Sequence, residues 1–261
     1  MSISNNSKIK EVLLFWFGDD YFNQNQNGQN YLDSDEYKHK QKLWFELNCE
    51  TDEKIKEKFG DLHQQAVDGL LDKEIELNDV QGNLALIIIY NQFSRFIYRG
   101  LSDEMFKFDS KAIEISRKLI IENDDIKNLS CIEKYFLYYP LLHAEDITFS
   151  KQGLDEIEKL TKEASNAQKE HFFKYYKAAK TCYDILVRFN GRFPFRNKLL
   201  NRTSTKEEIE YLNKTRNWLI NSVQIQKKKN INTSNQLNKT HDQTSPKKVS
   251  KSSTINILFL Q

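Results

Sequence analysis

Residues 80–97 read VQGNLALIIIYNQFSRFI, with apolar side chains on every side of the central run from Leu84 to Tyr90. A helix that is apolar all round is buried among other elements. Asp79 stands where an N-cap side chain would accept a hydrogen bond from the first turn. The segment therefore predicts a buried central helix, and a buried strand is the alternative.

Segments on both sides of this helix repeat apolar residues at intervals of three and four, which is typical of amphipathic helices. The repeats comprise Ile9, Val12, Leu13 and Trp16, then Ile55, Phe59, Leu62, Ala66 and Leu70, and then several positions within residues 167–187. Gly191 is expected to end the last of these helices in a left-handed cap, because glycine adopts a positive φ without strain.

Two Ser-x-x-Glu patterns predict further helix starts, because the two side chains of a capping box satisfy backbone donors that the helix leaves unpaired. The patterns pair Ser130 with Glu133 and Ser204 with Glu207. Glycine and proline number only 8 and 3, which disfavours an all-β fold with many tight turns. We therefore predict an all-α helical array of about seven to nine helices.

Composition divides the 261 residues into a body and a tail. Residues 227–261 carry seven lysines and one aspartate and are almost entirely polar up to residue 253, so we expect a disordered basic tail. Its apolar end, residues 255–260, is a candidate contact for a protein partner. Residues 1–226 then form a single helical domain with a net charge of −4, since the whole chain carries +2. This acidic body disfavours nucleic-acid binding.

Several classes of protein are disfavoured by the sequence. No apolar run approaches the ~18 residues of a membrane-spanning helix, and residues 1–10 lack a signal-peptide core, so a soluble cytoplasmic protein is expected. Cys49, Cys131 and Cys182 lie far apart, which argues against a disulfide framework or a metal site. Phosphate-binding loops, dinucleotide-binding glycine motifs and nucleophile elbows are absent, and we expect no cofactor.

Two arginine-rich segments are candidates for binding. Arg95 and Arg99 are four residues apart, hence on one helical face, where two guanidinium groups would grip a carboxylate or phosphate. Pairing of both with carboxylates of neighbouring helices is the alternative. The second segment interleaves Arg192, Arg196 and Asn197 with phenylalanines. Such a segment either stacks on bases or anchors a loop by burying its rings and pairing its arginines.

His143 is the candidate for acid–base chemistry. Glu145 and Asp146 follow it closely, and carboxylates near an imidazole can orient and charge it. A hydrogen-bonded histidine without a catalytic role is the alternative.

In their order along the chain, these segments resemble an uncharacterised, mostly bacterial family known as DUF924, a domain of unknown function. The matching motifs are VLLFWFG from Val12, QFSR from Gln92, YRG from Tyr98, YPLLHAED from Tyr139 and GRFPFRN from Gly191. The resemblance spans residues 9–220. It implies an all-helical fold similar to tetratricopeptide-repeat proteins, with a concave face, and implies no reaction, because the family has no established activity.

The chain also departs from the family pattern. Asn91 stands where the family usually has aspartate, Phe195 where it has histidine, and Asn190 is an insertion before Gly191. Losing an acid and a histidine weakens an acid–base mechanism, whereas binding through arginines survives. The matching positions, which we expect to line one polar groove, are Arg95, Arg99, His143, Glu145, Asp146, Arg192, Arg196 and Asn197.

The favoured hypothesis is a tetratricopeptide-like protein whose groove binds an anionic small molecule or an acidic protein segment, or which acts as an interaction scaffold. The alternative is a hydrolase or transferase. In that case His143, with Glu145, supplies acid–base catalysis while the arginines stabilise negative charge. Assembly with a partner through the tail is a third hypothesis.

Overall fold

The structure is a computed structural model that describes residues 7–19, 34–46, 48–73, 75–99, 103–166 and 168–216. Helices make up most of these ranges, and no strand occurs within them. The all-α prediction is confirmed. The predicted tail, residues 227–261, and the domain boundary at residue 226 lie outside the described residues.

Nine helices of eight or more residues lie in the described ranges, within the predicted number. They are α1 (Ser7–Phe17), α2 (Asp35–Phe45), α3 (Cys49–Val67), α4 (Val80–Ile87, continued by a π-helical segment Ile88–Phe93 and a last α-helical turn Ser94–Ile97), α5 (Asp109–Glu122), α6 (Cys131–His143), α7 (Ile147–Glu163), α8 (Lys169–Arg188) and α9 (residues 206–216). Single turns occupy Leu71–Lys73, Glu104–Lys107, Asp124–Asn128 and Pro194–Arg196.

Helix α4 is the centre of the fold. Every residue from 82 to 96 is buried, and α1, α3, α5 and α6 all pack against this helix. Asp79 caps its start by accepting a hydrogen bond from the Gly82 amide at 2.9 Å. The prediction of a buried central helix is therefore confirmed, and the strand alternative is wrong.

Helices α6, α7 and α8 pack in succession, each against the next. The likeness to tetratricopeptide repeats stays a prediction. None of the described helices combines the length and the apolar character that crossing a membrane requires.

The second capping box differs from its prediction by one residue. Ser130 and Glu133 exchange the expected bonds at the start of α6. At the start of α9, however, the bonds join Thr205 and Glu208, at 2.7 and 3.2 Å. This register turns Glu208 inward.

Two helix ends also differ from the predictions. Helix α3 stops at Val67, so Leu70 lies outside it and is 48% exposed. At the end of α8 Asn190 takes the left-handed position, with φ +53°, and Gly191 follows with φ +84°. The Gly191 amide donates to the Leu186 carbonyl at 2.7 Å, which completes a Schellman motif.

We predict opposite effects for two glycine-to-alanine substitutions. A Cβ at Gly60, within α3, meets no atom within 4 Å, so Gly60→Ala should raise the free energy of unfolding. The expected gain is about 0.5–1 kcal/mol. A Cβ at Gly82 would lie 2.8 Å from Asp79 Cγ and 2.9 Å from Ile75 Cγ2. Gly82→Ala should therefore displace the cap and cost about 1 kcal/mol or more, measured by urea denaturation. Equal shifts for both variants would contradict this packing.

His63 makes the stability of the fold depend on pH. Its Nε2 lies 2.8 Å from Ser94 Oγ, and the rings of Tyr98 and Phe108 flank it. Burial lowers the pKa of His63 to about 4.

Because the folded-state pKa lies below that of the unfolded chain, the unfolded state takes up a proton between about pH 6.5 and 4 that the folded state does not. As the pH is lowered through this range, the free energy of unfolding should therefore decrease in both proteins, but more steeply in the wild type than in His63→Gln. The difference in slope should be about 1.4 kcal/mol per pH unit. Denaturation series across this range measure the slope. His39→Gln, at an exposed site, is the control and should keep the wild-type slope.

Candidate functional site

The π-helical segment of α4 shapes the candidate site. Wider π turns break the regular α-helical ladder and are frequent at functional sites. Here the side chain of Arg95 turns back and donates from Nη1 to the carbonyl of Asn91, inside this segment. The segment thereby presents Asn91 and Arg95 together on the side of α4 that faces α5 and α6.

Arg95 forms a buried, bidentate ion pair with Asp109, the first residue of α5. The Nη1–Oδ1 and Nη2–Oδ2 distances are 2.7 and 2.8 Å. Arg95 is 1% exposed and Asp109 is 7% exposed. Asn91 Nδ2 also donates to Asp109 Oδ1, at 2.8 Å. The carboxylate therefore joins two side chains of α4 to the start of α5.

Asn91 also fixes the protonation of His143. Since Asn91 Nδ2 donates to a carboxylate, its Oδ1 is the atom that faces His143 Nδ1, at 2.9 Å. An amide oxygen only accepts, so His143 carries its hydrogen on Nδ1 and a lone pair on Nε2. Nε2 is buried without a hydrogen-bond partner among the described residues. Burial, together with the charges of Arg95 and Arg196, holds the pKa of His143 well below its usual value.

Arg196 is the second buried cation. The turn Pro194–Arg196 places its Nη1 3.7 Å from Asp109 Oδ2, and its Nε has no hydrogen-bond partner among the described residues. The guanidinium carbon lies 4.4 and 4.8 Å from the ring centres of Phe106 and Phe193. Arg196 is 3% exposed, and burial lowers its pKa to about 10. Asn91, Arg95, Asp109, His143 and Arg196 are called the buried polar cluster below.

Three of the predicted site residues, Arg95, His143 and Arg196, thus come together. They do so in the interior, because Arg95 and Arg196 are nearly inaccessible and His143 is 5% exposed. The described residues form no open groove along these three side chains.

Arg99 lies apart from the cluster. Helix α4 ends at Ile97, so Arg99 does not continue the face of Arg95. Its Nε donates to Asp52 of α3 at 2.8 Å. Both arginines therefore pair with carboxylates of neighbouring helices, which was the alternative interpretation of this segment.

Glu145 and Asp146 have structural partners. Glu145 accepts two hydrogen bonds from Arg202, at 2.7 and 2.8 Å, and a third from the Phe193 amide at 2.6 Å. Asp146 caps α7 by accepting from the Phe149 amide at 2.9 Å. Neither carboxylate bonds to His143.

Arg192 and Asn197 hold the loop that carries Arg196. Arg192 pairs with Glu208 at 3.5 Å and donates from Nη2 to Asn197 Oδ1 at 3.2 Å. Asn197 Nδ2 donates to Ser204 Oγ at 3.0 Å. The loop between α8 and α9 is thus anchored by pairs between its own arginines and nearby carboxylates, as the loop-anchoring interpretation predicts.

Sequence reasoning missed Asp109, the carboxylate at the centre of the cluster. A signal was available, since Asp109 shares helical spacing with Ala112, Ser116 and Leu119, all buried on one face of α5. A carboxylate on an apolar stripe requires a buried partner. The ion pair between Arg202 and Glu145 was not predicted either.

Charge in this region does not balance. The arginines are Arg95, Arg192, Arg196 and Arg202, and the carboxylates paired with them are Asp109, Glu145 and Glu208. One positive charge is therefore in excess, and Arg196 carries it, because it shares a carboxylate that Arg95 already engages through both oxygens. Among the described residues, no three His, Cys, Asp or Glu side chains lie close enough to hold a metal ion.

A solved structure of a protein of unknown function from Agrobacterium tumefaciens is similar to this chain, with 27% sequence identity and a TM-score of 0.60. The similarity covers 79% of this chain and 97% of that chain. No curated protein sequence matches the chain. A family model described as a bacterial protein of unknown function, DUF924, matches residues 12–216. Because this match covers most of the sequence, the chain belongs to the DUF924 family.

Proposed function

We propose that this protein binds a small oxyanion, a carboxylate or phosphate, at the buried polar cluster. The observation that supports the proposal is the position of Arg196. Its guanidinium is almost fully buried, yet the carboxylate nearest to it, Asp109, is already bound on both oxygens by Arg95. A buried cation without its own partner costs several kcal/mol, and a bound anion removes that cost.

The other arginines of the region each face a carboxylate and offer less to a ligand. Arg202 binds Glu145 through two hydrogen bonds, and Arg192 faces Glu208. Arg196 is the guanidinium left to make a charge-assisted, bidentate contact with an oxyanion.

Burial favours a small ligand over an acidic protein segment. A peptide entering beside Arg95 and Arg196 would bury backbone groups that need hydrogen-bond partners of their own. The ring of Phe106 contacts both guanidinium groups, at 5.7 and 4.4 Å, and is itself partly exposed. Displacement of this ring would let a small ion reach both guanidinium groups.

Arg196→Met is the variant that tests the proposal. Phosphate, sulfate and acetate serve as separate probes at matched ionic strength, and thermal unfolding is the measurement. At least one of these anions should raise the Tm of the wild type, because a ligand that binds the folded state stabilises it. Arg196→Met should lose this response. Arg188→Met, at an exposed arginine that pairs with Glu207, should keep it.

Stability without ligand provides a second readout. Arg196→Met should fold with a Tm equal to or above that of the wild type in chloride buffer, because it removes a buried charge that has no carboxylate of its own. Arg95→Met should instead cost about 3–5 kcal/mol, since it leaves Asp109 without its bidentate partner. If no anion separates the wild type from Arg196→Met, the proposal is wrong.

The lone pair on His143 Nε2 favours a second candidate function, a hydrolase or transferase in which His143 is the general base. Asn91 stands against it, because an amide partner does not raise the basicity of the imidazole as a carboxylate would. With p-nitrophenyl phosphate as the probe, this candidate predicts a turnover that His143→Ala abolishes while the anion-dependent rise in Tm remains. Absence of turnover in the wild type leaves p-nitrophenyl phosphate hydrolysis without support.

A further inference from the structure

His143 places a hydrogen-bond acceptor inside a cationic cluster. The bonds from Asn91 Nδ2 to Asp109 and from His143 Nδ1 to Asn91 Oδ1 leave the Nε2 lone pair as the free atom of the imidazole. Gln92 Nε2 also donates to Asn91 Oδ1, at 2.7 Å, which holds the amide in the same orientation. The tautomer of His143 is therefore set by its neighbours.

A free acceptor here restricts which anion fits. Suppose that Arg196 holds an oxyanion without a hydrogen. The lone pairs of its oxygens would then face the lone pair of His143 Nε2 and repel it. An oxyanion that retains a hydrogen would donate it to Nε2 and satisfy the one buried atom of His143 that lacks a partner.

We propose that the ligand is an oxyanion that retains a hydroxyl hydrogen, of which hydrogen phosphate is the simplest, and that His143 Nε2 accepts that hydrogen. This inference rests on the proposed function, because it assigns a chemical class to the anion bound by Arg196. His143 is here a specificity-determining residue and takes no proton from the ligand.

Phosphate and sulfate are matched probes. Both are tetrahedral anions of similar size, but near neutral pH inorganic phosphate retains a hydrogen and sulfate has none. A site built to pair a ligand hydrogen rejects an analogue that lacks it, so phosphate should bind the wild type roughly tenfold or more tightly than sulfate. Calorimetric titration at low salt measures both affinities.

His143→Phe removes the acceptor and keeps an aromatic ring beside Tyr139, whose ring centre lies 4.4 Å from that of His143. In this variant the phosphate affinity should fall to the level of sulfate, while sulfate binding persists. His39→Phe, at an exposed histidine, should keep the wild-type preference. A preference that survives in His143→Phe overturns the inference.

Nitrogen NMR of the full-length wild-type protein tests the same point should His143→Phe fail to fold. Phosphate should shift the signal of the unprotonated Nε2 of His143, and sulfate should leave it unchanged. Equal shifts with both anions contradict the inference.

Methyl phosphate separates a free phosphate from a phosphate ester. The ester loses its last hydrogen with a pKa of about 6, whereas inorganic phosphate keeps one through neutral pH. Methyl phosphate should therefore bind more tightly at about pH 6 than at about pH 8, if the site admits an ester. Ester binding that is equal at both pH values means that the hydrogen is not recognised.

The combined outcomes distinguish this inference from the function on which it rests. If phosphate and sulfate bind equally and both require Arg196, the inference is wrong and the oxyanion site remains. If acetate binds through Arg196 but phosphate and sulfate do not, the inference is likewise wrong and the oxyanion site remains. If phosphate, sulfate and acetate all fail to bind the wild type, the proposed function is wrong and the inference fails with it.

Discussion

The buried ion pair between Arg95 and Asp109 is the interaction on which the rest of the site depends. It joins the last turn of α4, the helix at the centre of the fold, to the first residue of α5. Taking both charges out of water is costly, and the cost is offset only when geometry and hydrogen bonding are good. The bidentate contact and the added bond from Asn91 provide both. Arg95 thereby engages both oxygens of the carboxylate.

Arg196 is the second cation beside this carboxylate. A loop held by Arg202, Arg192 and their carboxylates carries Arg196 to a position beside Asp109, with its Nη1 3.7 Å from Oδ2 and thus beyond hydrogen-bond distance. A structural cation would normally be buried with its own partner. Arg196 is instead packed between two phenylalanine rings and shares its nearest carboxylate with Arg95. The arrangement favours a role in binding over a role in stability.

The π-helical segment orients the polar side chains around this charge. It turns Asn91 toward both Asp109 and His143. Because the amide nitrogen donates to the carboxylate of Asp109, the amide oxygen faces His143 and sets the tautomer of its imidazole. Membership of the DUF924 family and the likeness to the Agrobacterium tumefaciens protein bring no known activity to this site.

The sequence by itself determined the helices, the buried centre at α4 and the residue types of the site, because periodicity and capping act between residues a few positions apart. Local ambiguity produced the small errors: two adjacent Glu residues allowed either capping register, and α4 ended before Arg99. Only the tertiary structure decided that Asp109 is shared by Arg95 and Arg196 and that the cluster is buried. Such pairing depends on how distant helices and a loop pack together, and no local pattern specifies it.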